Sequence, residues 1–469
     1  MADNYRYPSM PGTPMPGYPV NSSPLVDGEA TGLQKTVLYG REIQKCPIPL
    51  ATAKPENKPM VVFPGVRGAF GMNQELLSKH LLLLGGIGSG KTNAAYFIVK
   101  ALMEKIAADD LVLIFDSKGD FHKRFFNGWN PNHIVVGNHE AYAGSSYCWN
   151  IFDELRNANG RFDRASELAA KEISKSLFVG RESQSQPFFS QAATDVVAKV
   201  LIDFFRHRPE RDLHNAELVR FFSNANVDAY HSMIDRNPDF ESARDYFGKR
   251  GATLTAQALG VMSYVTTMVN DVFVGIFGEH RSRSFSMRKL VREKGAKVVF
   301  IEYDLNTGEM LGPIYGLLYD LALKEAMGGR SHRGSTYLVC DEFRILPKLN
   351  HINDALNLGR SLGVKVIAGL QTINQLYDVY GEERGKTLAA GFMNSFCFQT
   401  FDLDTRKFVT ERFGENYINL SFHSLVAPVH SQRAGHTVED WDVLGLRVGE
   451  AFVNLSGHTP FRFYFKEYM

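Results

Sequence analysis

The feature that most constrains this chain is a glycine-rich segment that lies between an apolar run and a helical pattern. Residues 85–92, GGIGSGKT, fit the pattern G-x-x-x-x-G-K-[ST] without a mismatch, and the run LLLL at residues 81–84 precedes them. Residues 93–100 have the pattern of a helix. A buried strand that turns through glycines into a helix aims backbone N–H groups at one point, where phosphates bind. The sequence therefore predicts a nucleoside triphosphate site.

The residues of this segment have different predicted roles. Glycines let the backbone approach the phosphates, Lys91 can reach the β- and γ-phosphates, and the Thr92 hydroxyl can ligate Mg²⁺. The alternative interpretation is a glycine-rich turn that matches the pattern by chance. The predicted nucleotide-binding residues are Gly85, Gly86, Gly88, Ser89, Gly90, Lys91 and Thr92, of which Lys91 is also catalytic and Thr92 also a metal ligand.

A second apolar run ends in two carboxylates. Residues 336–340, TYLVC, are typical of a buried parallel strand, and Asp341 and Glu342 follow directly. At the carboxyl edge of a sheet, Asp341 would hold Mg²⁺ through its water shell. Glu342 would orient the water that attacks the γ-phosphate and help to deprotonate it, which indicates a hydrolase rather than a kinase. In isolation, an exposed acidic turn after a core strand is an equally good interpretation.

Strand patterns alternate with helical patterns along much of the chain, which predicts an α/β fold with a doubly wound, mainly parallel sheet. Between about residues 160 and 285 helical spacing replaces the strand signal, as in residues 192–205. Turn signals at residues 62–65 and 67–70 mark a small β-rich segment before the phosphate loop. The other predicted strands are residues 111–115, 133–136, 298–301, 364–369 and 396–401, with short closing strands near 450–466.

These patterns divide the chain into three parts. Residues 1–30, rich in Pro, Gly and Ser, are predicted to be a disordered tail. Residues 31–160 and 286–469 form the predicted P-loop nucleotide-binding domain. Residues 161–285 form a predicted all-helical insertion domain, the candidate surface for partner contacts.

Charge and cysteine content exclude several classes of protein. The 469 residues contain 52 Lys and Arg against 51 Asp and Glu, so the basic surface of a protein that coats duplex DNA is missing. A ring of subunits could still hold nucleic acid in a narrow pore, because symmetry multiplies a few basic side chains. The four cysteines, Cys46, Cys148, Cys340 and Cys397, lie far apart and indicate reduced core residues rather than a zinc site or disulfide framework.

Membrane and secretion signals are missing from the sequence as well. No run of about 18 apolar residues occurs, and the N-terminus lacks the profile of a secretory signal. We therefore expect a cytoplasmic protein without a transmembrane segment of its own.

Six segments together resemble a known family, the coupling ATPases of type IV secretion and conjugative DNA transfer within the HerA–FtsK group of hexameric DNA motors. The resemblance covers about residues 60–466, and its most specific part is the series Asp-Glu, Gly-Arg-Ser, Gln-Thr. It implies a RecA-like P-loop NTPase fold, ATP and Mg²⁺ as cofactors, DNA as cargo and a homo-hexameric ring. The segments are residues 80–85 with the phosphate loop, 113–120, 187–189, 284–289, 339–343, and 355–363 with Gln371 and Thr372.

Two further catalytic residues are implied by the resemblance. Arg360, 19 residues beyond Asp341, resembles the family's arginine finger, which reaches the γ-phosphate of the neighbouring subunit. Gln371, after the predicted strand at 364–369, resembles the family's sensor, whose amide can hold the attacking water. Without the resemblance, a surface arginine near a glycine turn and a polar cap on a strand end are the simpler interpretations.

Several alternatives remain open from the sequence. Most members of the family carry an N-terminal pair of transmembrane segments, which this sequence lacks. Contact with a membrane would therefore need a partner protein, and secretion or relaxosome proteins are candidate partners. The rival functions are a soluble DNA motor outside secretion and a nucleotide-gated adaptor that recruits protein substrates. The sequence does not decide between single-stranded and duplex DNA. The basic cluster at residues 281–297 could contact DNA phosphates, although a solvated charged face is the favoured interpretation.

Overall fold

The structure, a computed structural model, describes residues 33–44, 58–179, 181, 187–250, 255–304, 306–328, 333–423 and 428–469. The predicted tail at residues 1–30 and Cys46 lie outside the described residues. Cys148, Cys340 and Cys397 are free and buried. None of the helices in the described part of the chain has the length and hydropathy needed to cross a membrane.

The strands are numbered in chain order. They are β1 Leu33–Gly40, β2 Val61–Pro64, β3 Ala69–Met72, β4 Leu81–Leu84, β5 Leu111–Asp116, β6 His133–Val136, β7 Cys148–Trp149, β8 Ser284–Phe285, β9 Lys297–Glu302, β10 Thr336–Cys340, β11 Val364–Leu370, β12 Asn394–Phe398, β13 Glu415–His423, β14 Pro428–His436, β15 Glu450–Asn454 and β16 Phe461–Tyr464.

The helices are numbered in the same way. They are α1 Gln74–Leu77, α2 Lys91–Lys105, α3 Asp120–Phe125, α4 Glu140–Ala143, α5 Ile151–Leu155, α6 Arg164–Leu177, α7 Pro187–His207, α8 Asn215–Asn224, α9 Val227–Arg236, α10 Arg244–Phe247, α11 Ala256–Val272, α12 Met287–Glu293, α13 Gly312–Gly328, α14 Ile352–Leu358, α15 Asn374–Tyr380, α16 Glu382–Gly391, α17 Leu403–Phe413 and α18 Asp440–Leu444.

A nine-stranded sheet organises the chain, with the strand order β16-β15-β12-β4-β11-β10-β5-β9-β6. The seven strands from β12 to β6 pair in parallel, whereas β15 and β16 are antiparallel additions at one side. Parallel strands end at the same edge of a sheet, so the residues that follow β4, β11, β10 and β5 lie side by side. The predicted α/β class with a mainly parallel sheet is confirmed.

Both faces of the sheet are covered by helices, which explains the continuous apolar runs of its strands. Successive side chains of a strand point to opposite faces. Leu82 and Leu84 belong to one core with residues of α6 to α14, and Leu81 and Leu83 belong to a second core with residues of α1, α2 and α3.

Among the described residues between β7 and β8, the regular elements are helices only, α5 through α11 and three short 3-10 helices, joined by loops. The short strands β7 and β8 pair in parallel, so the two ends of this segment lie side by side. Asn215 in α8 links them, because its side-chain amide donates to the carbonyls of Trp149 and Phe277 at 2.7 Å each. The division into domains at residues 160 and 285 stays a prediction.

Three features differ from the sequence predictions. The predicted turn at residues 62–65 is mostly strand β2, and the hairpin turns at residues 65–68 instead. The predicted strand at 396–401 is shifted, because β12 ends at Phe398 and the Asp402 carboxylate caps α17 by accepting from Thr405. A three-stranded antiparallel sheet, β1-β13-β14, was not predicted. Its strands are rich in polar residues and give no apolar run.

His80 fixes the start of β4. Its backbone has a φ of 58°, and its ring is buried. The Nδ1 atom accepts the N–H of Val366 in β11 at 3.1 Å, and its carbonyl accepts from the Asn394 side chain in β12 at 2.7 Å. One residue therefore joins β4 to both neighbouring strands. Burial lowers the pKa of His80 to about 4, so the ring is neutral near pH 7.

We predict that His80 makes the fold sensitive to mild acid. The pKa of about 4 in the folded chain lies below the unfolded value of about 6.5, so stability present above pH 6.5 is lost as the pH falls toward 4. At about pH 5 the loss is about 2 kcal/mol. His80→Asn removes the titrating ring, and Asn tolerates a positive φ.

Urea unfolding near pH 7 and pH 5 checks this prediction. The wild type should lose more stability between the two values than His80→Asn, and a His458→Asn control should behave as the wild type does. Equal losses in the wild type and His80→Asn would contradict it.

Candidate functional site

The phosphate loop joins β4 to α2 at the carboxyl edge of the sheet, as predicted. Gly90 has a φ of 108°, and a Cβ atom there would lie 2.8 Å from the Gly449 Cα, so both the conformation and the contact require glycine. The Gly449 N–H donates to the Ser89 carbonyl at 2.9 Å. The loop is therefore held from outside by the turn that precedes β15.

Lys91, the first residue of α2, turns its side chain back into the loop. The ammonium donates to the carbonyls of Gly85 at 2.5 Å and Gly86 at 2.9 Å. Burial lowers the pKa of Lys91 to about 8, and the carboxylates of Glu342 and Asp341 act against this shift. The ammonium is thus held beside the loop's backbone, where an anion on the loop would meet it.

The acidic pair follows β10, two strands away from the phosphate loop. Because β11 lies between β4 and β10, the two segments are about 10 Å apart, which leaves a gap above the end of β11. Gln371 follows β11 at the floor of this gap, and its amide donates to Glu342 Oε2 at 2.7 Å. The other oxygen, Glu342 Oε1, is buried and has no partner among the described residues. The structure thus brings Gln371 and Glu342 together beside the loop.

Asp341 is buried and has a partner that the sequence analysis did not assign. Its Oδ1 accepts from the Ser117 hydroxyl at 3.1 Å. Burial raises the pKa of Asp341 to about 6, and the charge of Asp116 adds to the shift. Ser117 and Asp116 stand at the end of β5, the neighbour of β10, so the signal in the sequence was a second strand that ends in polar residues.

A further buried carboxyl group lies at the end of β9, the next strand of the sheet. Glu302 at the end of β9 pairs in register with Asp116, and its carboxyl group is buried beside the Tyr142 hydroxyl. Burial and the charge of Asp116 raise the pKa of Glu302 to about 9, so this carboxyl group is protonated at neutral pH. Asp116 stays hydrogen-bonded to the backbone N–H groups of Lys118, Asp120 and His122.

Arg360 lies away from this site. It belongs to a short 3-10 helix at Gly359–Leu362, just before β11 begins, and is 54% exposed. Seven residues of β11 separate that edge from Gln371, a distance of about 20 Å. The nearest acidic partner is Glu75, with Arg360 Nη2 at 3.7 Å from Glu75 Oε1. Arg360 therefore cannot reach a phosphate bound by its own chain.

Several basic side chains of the cluster at residues 281–297 form ion pairs or hydrogen bonds within the chain. Arg288 and Arg292 bind the Glu325 carboxylate at 2.9 and 2.7 Å. Lys294 is buried and donates to the Arg333 carbonyl at 2.6 Å. These three side chains hold α12 against α13 and against the backbone of Arg333. Their role is therefore structural, and they do not form a solvated charged face.

The residues at the carboxyl edge fit a nucleotide and a divalent cation. The Ser89 hydroxyl in the loop is a buried polar atom without a partner among the described residues, as is Glu342 Oε1. Buried polar atoms that have no partner within the protein can accept or donate hydrogen bonds to a ligand. Thr92 in the first turn of α2 and Asp341 carry oxygen atoms of the kind that Mg²⁺ prefers as ligands.

Comparison with known proteins decides the family. Residues 66–441 match the model of the type IV secretion-system coupling protein DNA-binding domain. The chain belongs to this family. The curated coupling protein TraD of Escherichia coli (strain K12) is 20% identical over 317 residues, which cover 66% of this chain but only 40% of TraD.

Solved structures show the same fold. The bacterial conjugative coupling protein TrwBdeltaN70, in complex with sulphate, matches with a TM-score of 0.70 at 18% identity and covers 92% of this chain and 95% of its own. TrwB in complex with ADP and Mg²⁺ matches with a TM-score of 0.65 at 19% identity, covering 85% and 87%. VirB4 of Thermoanaerobacter pseudethanolicus reaches 0.52 at 13% identity, covering 87% and 96%. The RecA-like P-loop fold implied by the sequence is confirmed.

Proposed function

We propose that this protein is a Mg²⁺-dependent ATPase that moves DNA as a hexameric coupling protein of type IV secretion or conjugation. The observation that carries the proposal is the buried Glu342, oriented by Gln371 and placed across the end of β11 from the phosphate loop. A carboxylate held in this way suits a general base for water, so the site favours hydrolysis over nucleotide binding alone.

Different residues of the chain have different roles in the proposed hydrolysis. Residues 85–92 bind the phosphates, and Lys91 leaves the loop carbonyls to pair with them. Glu342 orients the attacking water and accepts its proton, and Gln371 keeps the Glu342 carboxylate in place. Thr92 and Asp341 would hold Mg²⁺, which would neutralise charge on the phosphates, and Ser117 orients Asp341. The structures of TrwB with ADP and Mg²⁺ and with a non-hydrolysable ATP analogue support these cofactors.

Two substitutions test the catalytic centre. Lys91→Ala should abolish ATP turnover because it removes the cation that neutralises the phosphates. Glu342→Gln should bind ATP but lower the turnover rate by about 100-fold or more, because an amide cannot accept the proton. Steady-state ATPase rates together with calorimetric titration of MgATP measure both effects.

Asp354→Asn, an exposed carboxylate in α14, is the matched control for charge removal. Turnover near the wild-type rate in Lys91→Ala or Glu342→Gln would refute the assigned roles.

Arg360 acts in trans in the proposed ring. It is exposed at the edge opposite its own phosphate loop, so a neighbouring subunit must present the phosphate. The finger would neutralise transition-state charge at an assembled interface, so an isolated subunit is nearly inert.

Mixing inactive variants tests this arrangement. Arg360→Ala and Lys91→Ala should each be inactive, whereas mixed rings contain interfaces with an intact loop and an intact finger and should recover part of the activity. ATPase rates over a range of mixing ratios give the measurement, with Arg211→Ala as an exposed-arginine control. Full activity in Arg360→Ala alone, or in dilute monomer, would exclude the finger.

The proposed cargo is DNA, gripped through its backbone without readout of sequence. Because the net charge of the chain is only +1, we expect a few basic residues in the pore to bind the DNA backbone. The protein acts in the cytoplasm, and secretion or relaxosome proteins would link it to the inner membrane.

An ATPase titration with single-stranded DNA, duplex DNA and no DNA tests the cargo. We expect DNA to raise the rate, the affinity to fall as salt is added, and base composition to have little effect. Particles imaged from the same samples should be rings. Absence of both stimulation and rings would favour a nucleotide-gated adaptor instead.

A further inference from the structure

The phosphate loop has different neighbours on its two sides, and this difference indicates where the nucleoside of a bound nucleotide lies. Glu342 and Gln371 follow β10 and β11, so the terminal phosphate faces that side of β4. The nucleoside must then extend to the other side of β4, toward the ends of β12 and the start of β15. This step rests on the proposed function.

Two loops form that side of the site, and both are attached to the phosphate loop. The Gln399 carbonyl after β12 accepts the N–H of Gly86 at 2.8 Å. Before β15, Gly449 donates to Ser89 and packs on Gly90. The Gln399 amide donates to the Leu444 carbonyl at 2.9 Å, which joins the two loops to each other. Their positions are therefore fixed relative to the phosphates.

Each loop presents a large apolar side chain to solvent. Phe401 is 75% exposed and Val448 is 63% exposed. The backbone of Phe401 is held in place, because its carbonyl accepts from Arg406 at 2.6 Å and Arg406 pairs with Asp440 at 2.6 Å. A fixed backbone with an exposed aromatic ring beside a phosphate site is an arrangement that can stack a base.

The polar side chains around Phe401 are already engaged. The Gln399 amide is bonded to Leu444, and the Thr400 hydroxyl accepts the N–H of Asp402. The Asp402 carboxylate caps α17 through the backbone and hydroxyl of Thr405. The chain thus offers the ring face, rather than free hydrogen-bonding groups, on this side of the site.

We propose that Phe401 stacks against the purine base of the bound nucleotide and that Val448 forms a second apolar wall of this base subsite. Stacking uses the π-face that every base has and distinguishes poorly between bases. Adenine and guanine nucleotides should therefore bind with similar affinity.

Calorimetric titrations of the full chain with MgADP, MgGDP and magnesium tripolyphosphate, which has phosphates but no base, test the subsite. Phe401→Ala should weaken the binding of both nucleotides by about 5- to 160-fold, because base–aromatic stacking contributes about 1–3 kcal/mol. Tripolyphosphate affinity should not change. Phe401→Trp should retain nucleotide affinity, Phe401→Leu should behave like Phe401→Ala, and Trp129→Ala serves as a control at an exposed aromatic residue.

The outcomes separate this inference from other roles of Phe401. Equal weakening of nucleotides and tripolyphosphate would mean that Phe401 only supports the phosphate loop, and would overturn the subsite. Unchanged nucleotide affinity together with loss of rings in mass photometry would make Phe401 a subunit contact and would also overturn it. If the wild type binds none of the three ligands, the proposed nucleotide site itself fails, and the base subsite with it.

Discussion

The central, parallel position of β4 is the constraint on which the rest of the structure depends. Because β11 and β12 both pair with β4 in parallel, the loops after all three strands emerge at one edge of the sheet. His80 and Asn394 hold this three-strand register at the opposite edge. Because β4 consists of four buried leucines, a shift of one residue would not change the polarity of either face, so the hydrogen bonds of His80 and Asn394 fix the register rather than the apolar pattern.

The parallel arrangement of the strands brings acidic side chains together at buried positions, where the ionised carboxylate is disfavoured. Asp116, Glu302, Asp341 and Glu342 are all buried at the ends of three adjacent strands. The pKa values of Asp341, Asp116 and Glu302 are raised by burial, and each of these shifts reflects a preference for the neutral carboxyl group. A fold selected for stability alone would not place these groups together, so their burial is characteristic of a functional site.

The sequence predicts local features of this site well and long-range neighbours poorly. The phosphate loop and the Asp341–Glu342 pair could be found because each motif is contiguous and follows an apolar run. Ser117 could not be assigned, because its contact with Asp341 depends on β5 lying next to β10. Residues 396–401 look like one strand, yet the contact between Gln399 and the phosphate loop ends β12 at Phe398. The strands β13 and β14 contain no continuous apolar run, although Ile418, Leu420 and Phe422 alternate with polar residues in β13, a pattern typical of a half-buried strand.

The two edges of the sheet have complementary surfaces. One edge carries the phosphate loop and the carboxylates, whereas the other carries Arg360, bonded only weakly to Glu75 at a distance of 3.7 Å between exposed groups. A cation held so loosely can be transferred to a stronger anionic partner, and a phosphate on a second copy of the chain is such a partner. Exposed Leu358, two residues before Arg360, would lose solvent contact in the same step. In the proposed ring, head-to-tail contact between the two edges would gain both charge pairing and apolar burial, and repetition of such a contact closes a ring when the rotation between copies permits it.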